Sequence, residues 1–324
     1  VPELPEVETI RRQLEPAVAG RKITGAEVLD ERFSRPQRPS QVEEAVAGRT
    51  IESVGRRGKY LIVSLSGDLH LVMHLRMTGN LLLRPAELGE ESAAVAMDLM
   101  KSRFGAPRLY ESNPEARHLR ATIALDDGSE VWFTDARRFG HGNVLSGAQL
   151  RDYLDARLGV EPLSPEFTAE EIARVSEGRQ APLKSFLLDQ TRVAGVGNIY
   201  ADEALHRAEL HPLSPAGSMR ADHRQALVEG VVEALEAGLA NGGSSIDDYR
   251  DARGERGSMQ DEFLVHTREG QDCPRCGGTI RRIVVGGRST YFCPDCQVRL
   301  RRRRKASKAA VSKRRASAAK TTKP

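Results

Sequence analysis

The chain of 324 residues is 39% hydrophobic and 29% charged, which fits a soluble globular protein of two or three domains, each with its own core. No apolar run is long enough to span a bilayer and the N-terminus lacks the basic and apolar regions of a signal peptide, so a cytosolic protein is the default expectation. The net charge of +4 is uneven: residues 297–324 hold twelve Lys or Arg and no Asp or Glu, which leaves −8 on residues 1–296. The body is therefore not broadly basic. Any nucleic-acid site on it has to be a local groove, with the tail adding a separate, sequence-blind attraction.

The opening stretch VPELPEVETI leads into a helix expected over residues 5–19. Pro5 suits the first helical position and Glu6 and Glu8 suit the positive end. Leu4, Val7, Ile10, Leu14 and Val18 fall on one face, and Gly20 stops the helix. Strand-like runs follow at 59–65, 69–75, 121–125 and 130–134, with SGD and DDG as turns between neighbours. The first half is therefore β-rich and expected to form a sandwich. Residues 84–117, polar with several prolines and glycines, read as a long surface insertion. From about 149 to 240 the pattern becomes helical, in AQLRDYLDARL, AEEIARVSE, PLKSFLLDQ, NIYADEALHRA and a longer run from Ala221, which NGGSS closes. Residues 247–270 are charged and loop-like, and the Arg-, Lys-, Ala- and Ser-rich tail is expected to be disordered when unbound.

All four cysteines fall in CPRCGGTIRRIVVGGRSTYFCPDC, as Cys273, Cys276, Cys293 and Cys296. Two C-x2-C knuckles can surround one Zn²⁺ tetrahedrally, and four protein ligands leave no open position, so the metal would be structural. Two disulfides are the alternative; the missing secretory signal and the lack of any other cysteine favour zinc. Between the knuckles, TIRRIVV and STYFC joined at GGR read as a β-hairpin carrying Arg281, Arg282 and Arg288. Those arginines form either a solvated charged face or a basic tip shaped to enter a nucleic-acid groove.

PELPEVET, GVGNIYADE and the cysteine hairpin, in that order, resemble the bacterial formamidopyrimidine-DNA glycosylase family over nearly all of residues 2–297. The resemblance implies an α+β multidomain fold. Residues 1–145 would form an N-terminal β-sandwich with a leading catalytic helix, 146–245 a helix–two-turn–helix domain, and 271–297 a C-terminal β-hairpin zinc finger, with 298–324 as a basic tail. Residues 246–270 would be a connector, and 244–262 would occupy the place of the family's loop over the flipped base. It also implies excision of oxidised purines from double-stranded DNA followed by cleavage of the backbone, one structural Zn²⁺ and a monomer. The longer insertion, the tail and Val1 in place of methionine depart from the family. A GTG start codon is initiated with methionine, and methionine ahead of proline is removed, so the mature chain is expected to begin at Pro2.

What the resemblance implies for single residues has a physical basis. A free Pro2 nitrogen is a secondary amine of pKa near ~7.7–8.0, lowered further by the positive helix end, and can attack the sugar C1′. Glu3 then moves protons to and from the sugar. Lys59 would contact phosphate and assist β-elimination, and Arg288 would do the same for δ-elimination. Met77, Arg137 and Phe139 would fill and brace the space left by the flipped nucleotide, with Arg137 satisfying an orphaned cytosine. His74 would contact phosphate, as would Gly195, Gly197 and Asn198 at a helix N-terminus. Taken singly, each has a plainer reading: Pro2 and Glu3 as a helix lead-in, Lys59 as a strand-edge charge, His74, Met77 and Phe139 as structural side chains, GVGN as a helix–helix turn.

Two other functions compete. One is the sister enzyme of the endonuclease VIII type, acting on oxidised pyrimidines; PELPEVET and the Arg137/Phe139 pairing favour the purine branch. The other is a non-catalytic zinc-finger protein that binds damaged DNA, which a retained Val1 would favour.

Overall fold

The computed structural model describes residues 2–86, 118–246 and 248–301. Helix α1 runs Leu4–Val18, and all five residues of its expected apolar face are buried. Its start is fixed by Pro5 and by the Glu6 carboxylate, which reaches back to accept the Glu3 N–H at 2.8 Å. Burial acts to raise the Glu8 carboxyl, but the cations of Arg11 and Arg12 on the same helix and of Arg56 outside it hold it below the usual carboxylate range.

The first half is a sandwich of two four-stranded antiparallel sheets, in the orders β1-β6-β7-β5 and β2-β3-β4-β8. The strands are β1 Ile23–Val28, β2 Ile51–Arg57, β3 Tyr60–Leu65, β4 Leu69–His74, β5 Gly79–Arg84, β6 Leu119–Leu125, β7 Glu130–Asp135 and β8 His141–Ser146. The four runs expected as strands lie in β3, β4, β6 and β7, with β3–β4 and β6–β7 paired antiparallel across their turns. Apolar residues from both sheets, from α1 and from the helix Pro39–Val46 (α3, after the short α2, Glu31–Ser34) form one core. Register sets three rings side by side, since Tyr60 pairs with His74 on β4 and His74 with His141 on β8. The ring centroids are 4.7 Å apart for Tyr60–His74 and 5.8 Å for the stacked His74–His141 pair.

After α4 (Gly147–Asp155) the chain is helical: α5 Ala169–Ser176, α6 Leu183–Leu188, α7 Asn198–Arg207 and α8 Ala221–Ala240. α7 is buried from Ile199 to His206 and, with α8, centres the second core. The hairpin β9 (Arg281–Val285) and β10 (Arg288–Phe292) turns at Gly286–Gly287, where GGR was expected to turn it. The insertion read at 84–117 starts inside β5, and residues 87–117 and the tail beyond Arg301 lie outside the described residues. Residues just past the finger are still packed: the Val298 N–H donates to Glu209 O at 2.8 Å and the Leu300 N–H to Ser214 Oγ at 3.0 Å. Among the described residues no helix is long and apolar enough to cross a membrane.

Candidate active site

The N-terminal segment sits against the start of α7. The Glu3 backbone is held by Glu6, while its carboxylate reaches across to α7. It accepts the Ile199 N–H at 2.9 Å and, at 3.4 Å, the Tyr200 N–H. Those are unsatisfied amides at the positive end of α7, which suits an anion. Two glycines make the approach possible. A Cβ on Gly197 would lie within 2.6 Å of all three Glu3 carboxylate atoms. Gly195 has φ of +83°, and a Cβ there would lie 2.6 Å from Leu4 Cδ1. The Gly195 carbonyl also accepts the Leu4 N–H at 3.1 Å. The GVGN turn, expected to face a phosphate, thus holds the chain's own N-terminal segment, and its glycines supply the room.

Pro2, Glu3, Lys59, His74, Met77, Gly197, Asn198 and Arg288 line one open cleft of about 280 Å³, near the lower end of the ~300–1,000 Å³ of small-molecule sites. Lys59 enters it from the tight turn between β2 and β3. Burial pushes the Lys59 ammonium pKa down; Glu3 and Glu6 oppose this and Arg288 adds to it. His74 Nδ1 accepts the Arg76 N–H at 2.9 Å, so a neutral ring carries its proton on Nε2. Burial first, then Arg76, His141 and Lys59, keep His74 well below its ordinary pKa. Asn198 Nδ2 donates to Ser289 O at 3.0 Å, which ties the finger hairpin to the start of α7 one residue from Arg288. Gly195, Arg137 and Phe139 are not in the cleft wall.

The turn that carries Arg137 and Phe139 is nevertheless bonded to the one that carries Met77. The β4–β5 turn carries Met77 and the β7–β8 turn carries Arg137 and Phe139. Buried Asp135 joins them: its carboxylate accepts the Thr78 hydroxyl, the Arg137 N–H at 3.1 Å and the Gly140 N–H at 2.6 Å. The Arg137 N–H is shared with Thr78 Oγ at 3.0 Å. Met77 and Phe139 are 37% and 53% exposed, which a core reading does not predict. The Arg137 guanidinium lies 4.9 Å from the Phe139 ring centroid.

Sequence reasoning missed the buried polar supports. Asp135 has no signal beyond lying in DARRFG. Glu6, read only as a helix-start acid, accepts from Glu3 N–H, Tyr200 OH and Ser244 N–H. Burial, then the charge of Glu3, raises its pKa. Lys184 is completely buried, donating to Asn198 O at 2.6 Å and Asp202 Oδ1 at 2.7 Å. Asp202 Oδ2 lies 2.8 Å from His266 Nδ1, on the approach to the finger. A single Lys in a helix gives no hint of this; only the fold reveals its partners.

The four cysteine sulfurs lie within 4.8 Å of one another, and all four are free thiols. Cys273–Cys296 and Cys276–Cys293 are 3.8 and 3.6 Å apart, Sγ to Sγ. A tetrahedron with Zn–S bonds of ~2.3 Å has edges of roughly 3.8 Å, so the set fits one structural zinc and not two disulfides. His206 Nε2 of α7 lies 3.3 Å from Cys273 Sγ, a contact that orients a ligand from the helical domain.

A cleft joining a sandwich, the N-terminus of a buried helix and a zinc-held basic hairpin defines a multidomain zinc-finger protein with a site shared by these three parts. Three family models match in order: the formamidopyrimidine-DNA glycosylase N-terminal domain at residues 1–142, its H2TH domain at 158–250, and the zinc finger found in FPG and IleRS at 270–298. Formamidopyrimidine-DNA glycosylase of Chloroflexus aurantiacus is 41% identical over 92% of this chain and 98% of its own length; that of a Roseiflexus species is 42% identical over 92% and 100%. Lactococcus lactis Fpg, solved with an abasic-site DNA, superposes with a TM-score of 0.76 at 34% identity, covering 92% of this chain and 100% of that one. A Lactococcus lactis FPG mutant bound to a Fapy-dG containing DNA gives 0.77 at 34%, covering 91% and 99%. The chain belongs to the formamidopyrimidine-DNA glycosylase family.

Proposed function

We propose that this protein is a bifunctional base-excision-repair enzyme that removes oxidised purines (8-oxoguanine and formamidopyrimidines) from duplex DNA and then cleaves the backbone as an AP lyase. The observation that carries the reading is the gathering of Pro2, Glu3, Lys59, His74, Asn198 and Arg288, from three separate parts of a chain of this family, around one cleft. The Pro2 nitrogen has to be free for the reaction, so residue 1 is absent from the active form. Its lone pair bonds to C1′ as the glycosidic bond breaks and the base leaves with its electrons. Glu3 takes the proton that the bonded nitrogen sheds and passes it to O4′ as the nitrogen lone pair opens the C1′–O4′ bond, which gives a cationic iminium. That sink acidifies C2′; loss of the C2′ proton with cleavage of C3′–O3′ is the β-elimination, and loss of the C4′ proton with cleavage of C5′–O5′ is the δ-elimination. Lys59 and Arg288 neutralise the departing phosphates and supply protons. His74 donates to a phosphate through Nε2–H, and the Asn198 amide holds the finger hairpin in place. Met77, Phe139 and Arg137 fill and brace the stack, with Arg137 facing cytosine. Gly195 and Gly197 leave room for Leu4 and Glu3, so that Glu3 is seated on the first amides of α7.

The enzyme works as a cytoplasmic monomer on chromosomal DNA, with the basic tail adding non-specific affinity. Borohydride trapping on a duplex with 8-oxoguanine opposite cytosine tests the reading. Protein beginning at Pro2 gives a covalent adduct and P2G weakens or abolishes it. An absent adduct, with intact duplex binding, leaves the non-catalytic damage-binding alternative standing. A strong preference for oxidised pyrimidines instead selects the endonuclease VIII type.

A further inference from the structure

We infer that Gln13 and Asn80 are positioning residues: they clasp residues 248–257 onto the sandwich and thereby hold Glu6 and the Pro2–Glu3 pair in register. The catalytic half of this inference rests on the function proposed above. β5 is an edge strand of its sheet, and the following loop segment covers that edge. The Leu83 N–H donates to Ala252 O at 2.7 Å. Asn80, on the same strand, binds the segment from both ends of its amide: Oδ1 accepts the Arg250 N–H at 2.9 Å and Nδ2 donates to Asp248 O at 3.1 Å. From α1, Gln13 repeats the pattern two residues on. Its Oε1 accepts the Ala252 N–H at 2.8 Å and its Nε2 donates to Asp251 Oδ2 at 2.7 Å. The other Asp251 oxygen accepts the Arg253 and Glu255 N–H groups at 3.0 and 2.8 Å, which closes the turn.

Between the two amides, Tyr249 is carried into the sandwich core together with Ala252. The Tyr249 hydroxyl lies 3.3 Å from Glu6 O and 3.2 Å from Gly242 O. Just before the clasped residues, the Ser244 N–H donates to Glu6 Oε1 at 2.7 Å, and Tyr200 OH donates to the same oxygen at 2.8 Å. Glu6 is thereby left one orientation, with Oε2 on the Glu3 N–H at 2.8 Å. A surface loop is ordinarily the mobile part of a domain. Here two side-chain amides from separate elements tie it down through bonds within the chain itself, which lowers the conformational freedom that binding would otherwise have to remove.

The test uses a polarity swap in the full-length protein. Q13E puts two carboxylates face to face and loses the donor to Asp251. Q13E/D251N restores every hydrogen bond with donor and acceptor exchanged. Expected for Q13E are faster amide hydrogen exchange across residues 248–257 and a single-turnover excision rate on an 8-oxoguanine duplex lower by about tenfold, with affinity for undamaged duplex unchanged. Both effects are expected to reverse in Q13E/D251N, which a general loss of folding would not do. Unchanged exchange in Q13E, or slowed excision that the double variant does not recover, overturns the inference. A wild-type protein that excises nothing overturns the functional reading and the catalytic half of this one, and the exchange measurement alone then decides the clasp.

Discussion

Replacing Gly197 with alanine separates the two roles open to the GVGN turn. A Cβ at this position would stand within 2.6 Å of the Glu3 carboxylate, roughly 1 Å inside an ordinary non-bonded contact of ~3.5–4.0 Å. The neighbour that must yield is not a flexible tip, because Glu3 is 2% exposed and its backbone is held by Glu6. Displacing the carboxylate forfeits one good charge-assisted bond, at 2.9 Å to Ile199, and one long one, at 3.4 Å to Tyr200. At about 1.5–3 kcal/mol for a hydrogen bond to a charged group, with a contribution from the helix end, G197A loses about 3 kcal/mol of stability. At about 1.5 °C per kcal/mol for a chain of 324 residues, from an unfolding entropy of about 2.1 cal/mol/K per residue, the melting temperature falls by roughly 4–5 °C. If Glu3 is the proton-transfer group, its displacement also slows cleavage of an abasic duplex by about a hundredfold. Differential scanning calorimetry and single-turnover nicking read the two effects. A variant that melts and cleaves like the wild type, losing only affinity for duplex, would refute the steric argument and return the glycine to direct phosphate contact.

Three further outcomes are expected. D135N turns an NH₂ toward at least one of the N–H and O–H donors that Asp135 now accepts; it costs about 2–3 kcal/mol in urea unfolding and weakens the preference for cytosine opposite the lesion. His141 has its pKa pushed down to about 4, by burial first and then by Arg76. The unfolded chain, with an ordinary histidine near ~6.5, binds more protons in that interval, so stability is full above pH 6.5 and falls as pH drops toward 4. H141Q flattens that limb of a pH series of melting temperatures, and an unchanged limb would show that other groups set it. Deleting residues 302–324, and not from 298, removes ten Lys or Arg while sparing the bonds of Val298 and Leu300; the salt dependence of binding to undamaged duplex becomes shallower while excision is unaffected.

Parts of the molecule that depend on local chemistry were legible in the chain itself. The apolar spacing of α1, the period-2 runs of β3, β4, β6 and β7, and the knuckle spacing around Cys273–Cys296 each follow from near neighbours. β1, β2, β5 and β8 escaped because ITGAEV, IESVGRR, GNLLLR and HGNVLS each carry a glycine, and in most of them polar residues, that blur the alternation. Those strands exist because flanking strands supply hydrogen bonds and a core to cover, which is non-local information.

The sequence by itself determined which reactive groups the protein owns: an imino acid and a carboxylate at its start, four thiols at metal spacing, a lysine in a tight turn, and arginines on a hairpin. Only tertiary structure decided how they act together. It aimed Glu3 at the amides of a helix nearly two hundred positions away, neutralised His74 by burial, made Asp135 the joint between two turns, and hid Lys184 against Asp202. The reason is physical: a side chain's charge state and direction are set by desolvation and by partners brought close in space, and residues far apart in the chain carry no local mark of that meeting.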